Sequence, residues 1–490
     1  MDNKFSENSL NKDVLKYLPV KILPAFSGLL TIYLLTRTLS LSLYTDYAFI
    51  IATILLFGQL ISGWINSSVI FFYQDYVSTK SLDVLKINVI ALQLILFFIG
   101  AIGFALTSYF GLKDLTIVFL GLLLLLAQTF LNLLYSFLQA ERRILVQIKS
   151  TIIQSLIQII GIGSCFFYYK ENLHIVILVF FVSYFVASNY VMYCDSIYRL
   201  IFNNKNLLSI DFRTSKEILL YGLPICVWFF ASQFFAIGDR MLFKYFNIDY
   251  LVANYASFRD LSVGLSGFIT MPLLMASHPL IIQMWKSKEE LYKIEIILSG
   301  NIKLLISLFT PIFMGIFLLG NVVLTQIVGK EYLLDTNLMF FVLSSIFLGT
   351  VSMYLHKGLE TTGRTILMAK VALTVAFSSL FLNLILIPIY GVPGACLVAV
   401  FSQSTYCFLI YCYAKKTFKI RVPVLFIAKN LFFILIAFLL ANFVFKPFSH
   451  LLLKLLILIG LTSYLLSKSL ELKSMRNLIS STVKSFFIKS

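Results

Sequence analysis

The chain has 490 residues, 60% hydrophobic and 12% charged, with mean hydropathy +0.93 and 39 Lys+Arg against 22 Asp+Glu, a formal net charge of +17. Soluble domains average about 25% charged residues, so these figures exclude a soluble globular protein, a disordered chain and a coiled coil. Continuous rather than alternating apolar stretches exclude a β-barrel, and the excess of Lys and Arg suits orienting loops, so no nucleic-acid partner is expected.

A helix of about 20 apolar residues crosses a bilayer core. Taken in chain order, fourteen segments meet that condition: 17–36, 45–65, 88–110, 115–138, 150–169, 174–194, 217–237, 255–281, 302–320, 337–356, 366–388, 393–413, 424–445 and 449–467. The polar start, Met1 to Lys16, leads into a full-length span without a small-residue cleavage site, so no cleavable signal peptide is expected. With the N-terminus in the cytoplasm, 28 of the 39 cations fall on the inner side and nine on the outer, while Lys21 and Lys429 lie inside spans. A missed helix would invert every later loop and spoil this asymmetry, so both termini are expected to be cytoplasmic. The longest outer loops run only from Gly238 to Asn254 and from Asn321 to Thr336, leaving no room for an inserted soluble domain. Cys165, Cys194, Cys226, Cys396, Cys407 and Cys412 sit in or at the ends of apolar stretches, without metal-ligand spacing, and read as small packed hydrophobes. No metal is expected.

The first and seventh segments resemble each other. Leu18-Pro19, Arg37 and Tyr47-Ala48 are matched by Leu223-Pro224, Arg240 and Tyr255-Ala256, at offsets of 203 to 208 residues. Glu141 and Arg143 are matched by Glu360 and Arg364 at offsets of 219 and 221. A six-helix unit repeated with parallel topology predicts a binding cleft at the repeat interface. The expected division is residues 1–205, 206–416 and a C-terminal part 417–490 with two extra helices and a tail.

Three segments carry a family resemblance. They are Thr36-Arg37-Thr38-Leu39 with Tyr44-Thr45-Asp46-Tyr47-Ala48, then Tyr221-Gly222-Leu223-Pro224 with Gly238-Asp239-Arg240 and Asn254-Tyr255-Ala256, and then Leu382-Asn383 through Pro388-Ile389-Tyr390-Gly391-Val392-Pro393-Gly394-Ala395. In order and spacing along residues 15–415 the chain resembles the Wzx-type polysaccharide flippases of the multidrug/oligosaccharidyl-lipid/polysaccharide exporter superfamily. The resemblance implies an all-α polytopic membrane protein, with two six-helix bundles in a V-shaped arrangement plus two C-terminal helices. It also implies export of an undecaprenyl-diphosphate-linked oligosaccharide by alternating access at a bacterial inner membrane, for O-antigen or capsule. A polysaccharide polymerase and a chain-length regulator are the implied partner proteins, and membrane lipids the surroundings. Many family members have twelve helices, whereas the lipid II flippases of the superfamily have fourteen, so a lipid II flippase is one alternative.

A diphosphate cannot cross hydrocarbon bare, and ionisable residues within spans default to functional hypotheses. Lys21, Arg37, Arg240 and Arg259 are therefore the candidate substrate-binding cations. For Lys21 the competing reading is a lysine snorkelling to the interface; for Arg37 and Arg240 it is anchoring of helix ends, with Asp46 or Asp239 as partner. Asp239, Asp260 and His278 are candidates for H+ or Na+ coupling. Glu141, Arg143, Glu360 and Arg364 are candidates for ion pairs that close an inner gate, against a reading as solvated positive-inside loops.

No Walker A loop, His-Glu-x-x-His signature or Gly-x-Ser-x-Gly elbow occurs, so neither an enzyme nor a bound cofactor is expected. A multidrug/cation antiporter would carry carboxylates deep in its spans, and no mid-span acid is found. A membrane polymerase or ligase would need a large outer loop.

Overall fold

The computed structural model describes residues 23–24, 26–79, 81–141, 143–195, 197–198, 211–286, 291–360, 362, 364–421, 424–441 and 451–468. Among the described residues all regular structure is helical. In chain order the helices are α1 (26–38), α2 (Leu41–Gly58, a π-helical turn Gln59–Gly63, then Trp64–Ser78), α3 (Leu82–Leu112), α4 (Leu115–Ala140), α5 (Ile144–Tyr168) and α6 (Leu173–Cys194). They continue as α7 (Phe212–Tyr245), α8 (Val252–Lys286), α9 (Leu291–Ile327), α10 (Thr336–Leu355, followed by the turn Lys357–Glu360), α11 (Thr365–Tyr390), α12 (Val392–Ala414), α13 (Val424–Leu439) and α14 (Leu451–Lys468).

Ten helices among the described residues are long and apolar enough to cross a membrane, against the fourteen expected from sequence. Of the remaining expected segments, the first begins among residues outside the described set and α13 is a shorter apolar helix of 16 residues. Other helices outrun the bilayer. At 1.5 Å per residue the 37 residues of α9 extend about 55 Å, well beyond a hydrocarbon core of about 30 Å. Its first turns are amphipathic, burying Ile294, Leu298 and Ile302 while Glu295 and Ser299 accept the backbone N–H of Lys419 and Arg421 at 2.7 and 3.0 Å.

Short polar side chains start the helices. Asp114, Asn172, Asp211 and Asp335 each accept a backbone N–H from the first turn of α4, α6, α7 and α10. Lys113, with φ 54°, ends α3 in the left-handed region.

The chain forms two compact units. The first takes Ile22–Ser257 and Thr365–Val398. Its core joins Trp64 and Val69 of α2, Leu85 and Val89 of α3, Leu131 and Phe137 of α4, Ala187 and Val191 of α6, and Ile218 of α7. Helix α7, which the sequence groups with the later part of the chain, packs here along α11 and also against α2 and α3. The second unit takes Phe258–Arg364 and Ala399–Ser490. There α13 and α14 pack on α9, with Met314, Leu318, Phe433 and Ala437 buried together and Leu458 alongside.

Candidate functional site

The hairpin between α11 and α12 explains the most specific of the three sequence segments. Gly391 turns the chain at φ 61°, and a Cβ on Gly394 would fall 2.5 Å from the carbonyl oxygen of Leu386, a backbone atom that cannot swing aside. The segment Tyr221-Gly222-Leu223-Pro224 lies where α7 crosses α2. Tyr221 stacks on Phe71 with ring centroids 4.2 Å apart, and Gly222 lies against Trp64. At the same level α2 loosens into its π-turn and α7 contains Pro224. The Leu60 carbonyl within that turn accepts from Trp64 Nε1 at 2.9 Å and from Cys226 Sγ at 3.8 Å. An interior proline and a π-turn each leave backbone groups without their ordinary helical partners, and here the two irregularities face each other.

At one end of this unit four charged side chains form a neutral cluster. Lys86 Nζ of α3 lies 2.8 Å from Glu141 Oε1 and 2.8 Å from Asp195 Oδ2. Arg143 binds Asp195 through Nη1, donates to the Cys194 carbonyl from Nη2 at 3.0 Å and lies 3.5 Å from Glu141. The exposed fractions of the Lys86, Glu141 and Asp195 side chains are 10%, 13% and 4%, so the cluster is largely removed from solvent. Burial works against ionisation of both acids. At Asp195 burial prevails and pushes the carboxyl up, whereas at Glu141 the Lys86 ammonium outweighs it and holds the carboxyl below its usual range. Each partner belongs to this one unit, so the pairing of the predicted residues Glu141 and Arg143 fastens α3, the α4–α5 turn and α6 together. The counterparts Glu360 and Arg364 lie in the second unit. Glu360 Oε2 accepts from Lys357 Nζ at 2.6 Å and lies 3.7 Å from His356 Nε2; Arg364 is exposed, its backbone N–H bonded to the Leu359 carbonyl at 2.9 Å.

The first unit also holds several of the predicted binding residues. Arg37 donates from Nη1 to the Tyr33 carbonyl at 2.9 Å and sits 3.7 Å over the Tyr33 ring, a cation–π contact. Asp46, a sequence candidate for pairing with Arg37, binds Lys244 Nζ at 2.6 Å instead and so ties α2 to α7. Asp239 and Arg240 are both buried. Asp239 accepts from the Tyr255 hydroxyl through Oδ2 and from the Arg240 backbone N–H through Oδ1 at 2.9 Å. Arg259 is buried in the second unit, with Asp260 half-buried beside it. Lys21 lies outside the described residues, and so does the side chain of His278, whose backbone is part of α8.

Sequence reasoning missed Lys86, Asp195 and Lys244 as partners, and it missed a polar stripe on α5. Gln147, Ser150, Thr151, Ser155 and Gln158 recur every three or four residues and are all buried. Ser150 hydrogen-bonds the Tyr135 hydroxyl at 3.1 Å and donates to the Ala187 carbonyl at 3.1 Å, while Gln158 donates to Thr31 at 3.1 Å. The helical spacing was the available signal. Hydrogen bonds of this kind bind transmembrane helices where a hydrophobic driving force is lacking.

The family described as "Polysaccharide biosynthesis protein" matches residues 10–285. Over 121 residues the chain is 25% identical to the probable low-salt glycan biosynthesis flippase Agl15 of Haloferax volcanii, a match covering 25% of this chain and 26% of that protein, so it spans about a quarter of the relative's length. Among solved structures, the lipid II flippase MurJ in an inward closed conformation is similar with a TM-score of 0.67 and 16% identity, over 96% of this chain and 100% of that one. An inward-facing multidrug resistance MATE family transporter of the MOP superfamily is similar with a TM-score of 0.57 and 12% identity, over 84% and 98% of the two chains. At these identities the likeness is one of fold.

Proposed function

We propose a transport function from one premise: the chain belongs to the polysaccharide biosynthesis protein family. It is a multi-pass membrane protein, and its function is to flip a lipid-linked glycan across the bilayer. The substrate is an undecaprenyl-diphosphate-linked oligosaccharide repeat unit, moved from the cytoplasmic to the outer leaflet of a bacterial inner membrane by alternating access. The product feeds a surface polysaccharide, O-antigen or capsule, through a polymerase and a chain-length regulator. Both termini are cytoplasmic, as the distribution of cations favours. The chain transports and does not catalyse a covalent step.

The observation that carries this reading is the family match over residues 10–285. The chemistry is consistent with it. A diphosphate leaving water needs cationic partners, and Lys21, Arg37, Arg240 and Arg259 supply them in or beside spans. Asp239, held by the Tyr255 hydroxyl, Asp260 and His278 are the groups for H+ or Na+ coupling. Glu141 and Arg143 serve the gate indirectly, by keeping the ends of α3 to α6 together as one body, with Glu360 and Arg364 in the corresponding place of the second unit.

The test is the lipid-linked saccharide content of a deletion strain, with surface polymer scored in parallel. Accumulation of undecaprenyl-diphosphate repeat units together with loss of surface polymer supports the reading, and complementation by Arg37→Ala, Arg240→Ala and Arg259→Ala then assigns the cations. Normal surface polymer with unchanged lipid-linked saccharide overturns it. Arrested growth with accumulation of lipid II would move the substrate to the peptidoglycan precursor.

A further inference from the structure

Two adjoining cavities open in the second unit, and none of the proposed transport residues lines either. One, of about 570 Å³, is an apolar slot between α9, α10 and α13, walled by Phe317, Phe340, Phe341, Ile434 and Phe438. The other, of about 370 Å³, is lined at its polar end by Asn321, Asp335, Asn337 and Lys454. The two share Phe317, Asn337 and Phe438 in their linings, so the polar chamber adjoins the slot. Both volumes fall in the range of ligand sites, about 300–1,000 Å³.

The slot walls brace one another. Phe317 lies 5.4 Å from Phe340 and 5.1 Å from Phe438 by ring centroids, the second pair edge to face, an arrangement aromatic pairs favour. In the polar chamber Asp335 caps α10, accepting the Asn337 N–H at 2.7 Å through Oδ1, and it is exposed, as are Asn321 and Asn337. The chamber is thus lined by the ammonium-bearing Lys454, the carboxylate of Asp335 and two amides, beside an aromatic slot. Lys454 falls on the outer side in the positive-inside reading of the sequence.

We infer that these two adjoining cavities form a site for a resident zwitterionic phospholipid with a primary ammonium head, a phosphatidylethanolamine, seated with its phosphate toward Lys454, its ammonium toward Asp335 and an acyl chain in the aromatic slot. The charge pattern selects the head group. A phosphate alone would meet Asp335 as a like charge. A quaternary ammonium has no N–H for a carboxylate or an amide oxygen to accept, and a glycerol head has no positive charge at all. The inference does not depend on the transported substrate, because none of the proposed flipping residues lines either cavity.

The test uses the full chain purified in detergent, with native mass spectrometry after adding phosphatidylethanolamine, phosphatidylcholine or phosphatidylglycerol of matched acyl chains. Wild-type protein retains phosphatidylethanolamine roughly tenfold better than either of the others, the ratio expected for one charge-assisted hydrogen bond. Asp335→Asn keeps the capping oxygen but removes the charge, and lowers the ethanolamine-to-choline ratio toward what the neutral amide oxygens alone sustain. Lys454→Gln weakens retention of all three lipids alike, because the phosphate is common to them. Equal retention of the three lipids by wild-type protein, which needs no variant to fold, overturns the inference, as does an ethanolamine preference that Asp335→Asn leaves intact.

Discussion

Gly222 of α7 lies so close to Trp64 of α2 that a Cβ on it would fall 2.0 Å from Cε3 of the indole. Trp64 is 1% exposed, sits in the core of the first unit and is pinned by Nε1 to the Leu60 carbonyl at 2.9 Å, so the ring cannot easily give way. Glycine inside a helix costs about 1 kcal/mol relative to alanine. Overpacking a core costs about 1–3 kcal/mol. Gly222→Ala therefore destabilises the protein despite its better helix propensity, and a lower thermal midpoint in detergent measures this. The pairing with Trp64→Phe discriminates: the smaller ring recovers part of the loss if the contact is the cause. A midpoint for Gly222→Ala at or above wild type would refute it.

Lys86 is the centre of the buried cluster, the one side chain among the described residues within 3 Å of both Glu141 and Asp195. Lys86→Met preserves most of the stem packing but leaves two largely buried carboxylates to share Arg143. Removing one partner of a buried ion pair costs about 3–5 kcal/mol, because the remaining charge stays desolvated. Lys86→Met/Asp195→Asn removes one charge of each sign and recovers part of that loss, with a coupling of about 1–3 kcal/mol expected of residues in one network. Strictly additive losses in chemical denaturation would show that the four charges do not act as a unit.

The two acids of that cluster give opposite pH dependences. Burial raises Asp195 above its unfolded value, so its contribution is fully present below about pH 3.9 and is lost as pH rises through the folded value. Glu141 is lowered, its burial outweighed by Lys86, so its contribution is present above about pH 4.3 and is lost as pH falls through the folded value. On acidification from pH 7 to about pH 4, wild-type protein therefore gains stability relative to Asp195→Asn; further acidification brings the loss from Glu141 in both. Thermal midpoints of the two proteins across that range check the sign, and parallel curves would remove Asp195 as the titrating group.

The sequence made local features legible and long-range pairings much less so. Helix positions followed from runs of apolar residues, because a bilayer imposes length and hydrophobicity on each span independently. The extensions of α7 and α9 are hidden from a hydropathy reading, because charged residues such as Arg213, Lys216, Lys293 and Glu295 fall in their first turns. The segment ending at Gly394-Ala395 carries the family resemblance; its physical reason, a close approach of Gly394 to the Leu386 carbonyl, appears only once α11 and α12 are paired. Lys86 looked like one more inner-side cation, because nothing local marks a partner 109 residues away at Asp195. Asp46 was recognised as an ion-pair acid, but Lys244, 198 residues distant, takes it. The α5 stripe is different: its three-to-four spacing is present in the sequence, but its Gln, Ser and Thr side chains carry no charge to mark them.

The last two helices, α13 and α14, lie beyond residues 10–285 of the family match, yet a polar contact secures one of them. Thr310 Oγ1 of α9 donates to Asn430 Oδ1 of α13 at 3.0 Å, while Asn430 Nδ2 donates to the Phe426 carbonyl at 2.8 Å. Asn430 is 4% exposed, and the surrounding contact of Met314, Leu318, Phe433 and Ala437 is wholly apolar. Lipid tails compete on equal terms for such apolar faces, so the hydrogen bond fixes the register of α13 on α9 more than the apolar area does. Interhelical hydrogen bonds in membranes are worth about 0.6 kcal/mol on average and about 1.7 at most. A double-mutant cycle with Thr310→Val and Asn430→Leu is expected to return a coupling in that interval, read from unfolding in mixed micelles. A coupling indistinguishable from zero would leave α13 held by packing alone, and cysteine cross-linking between α9 and α13 would then trap several registers instead of one.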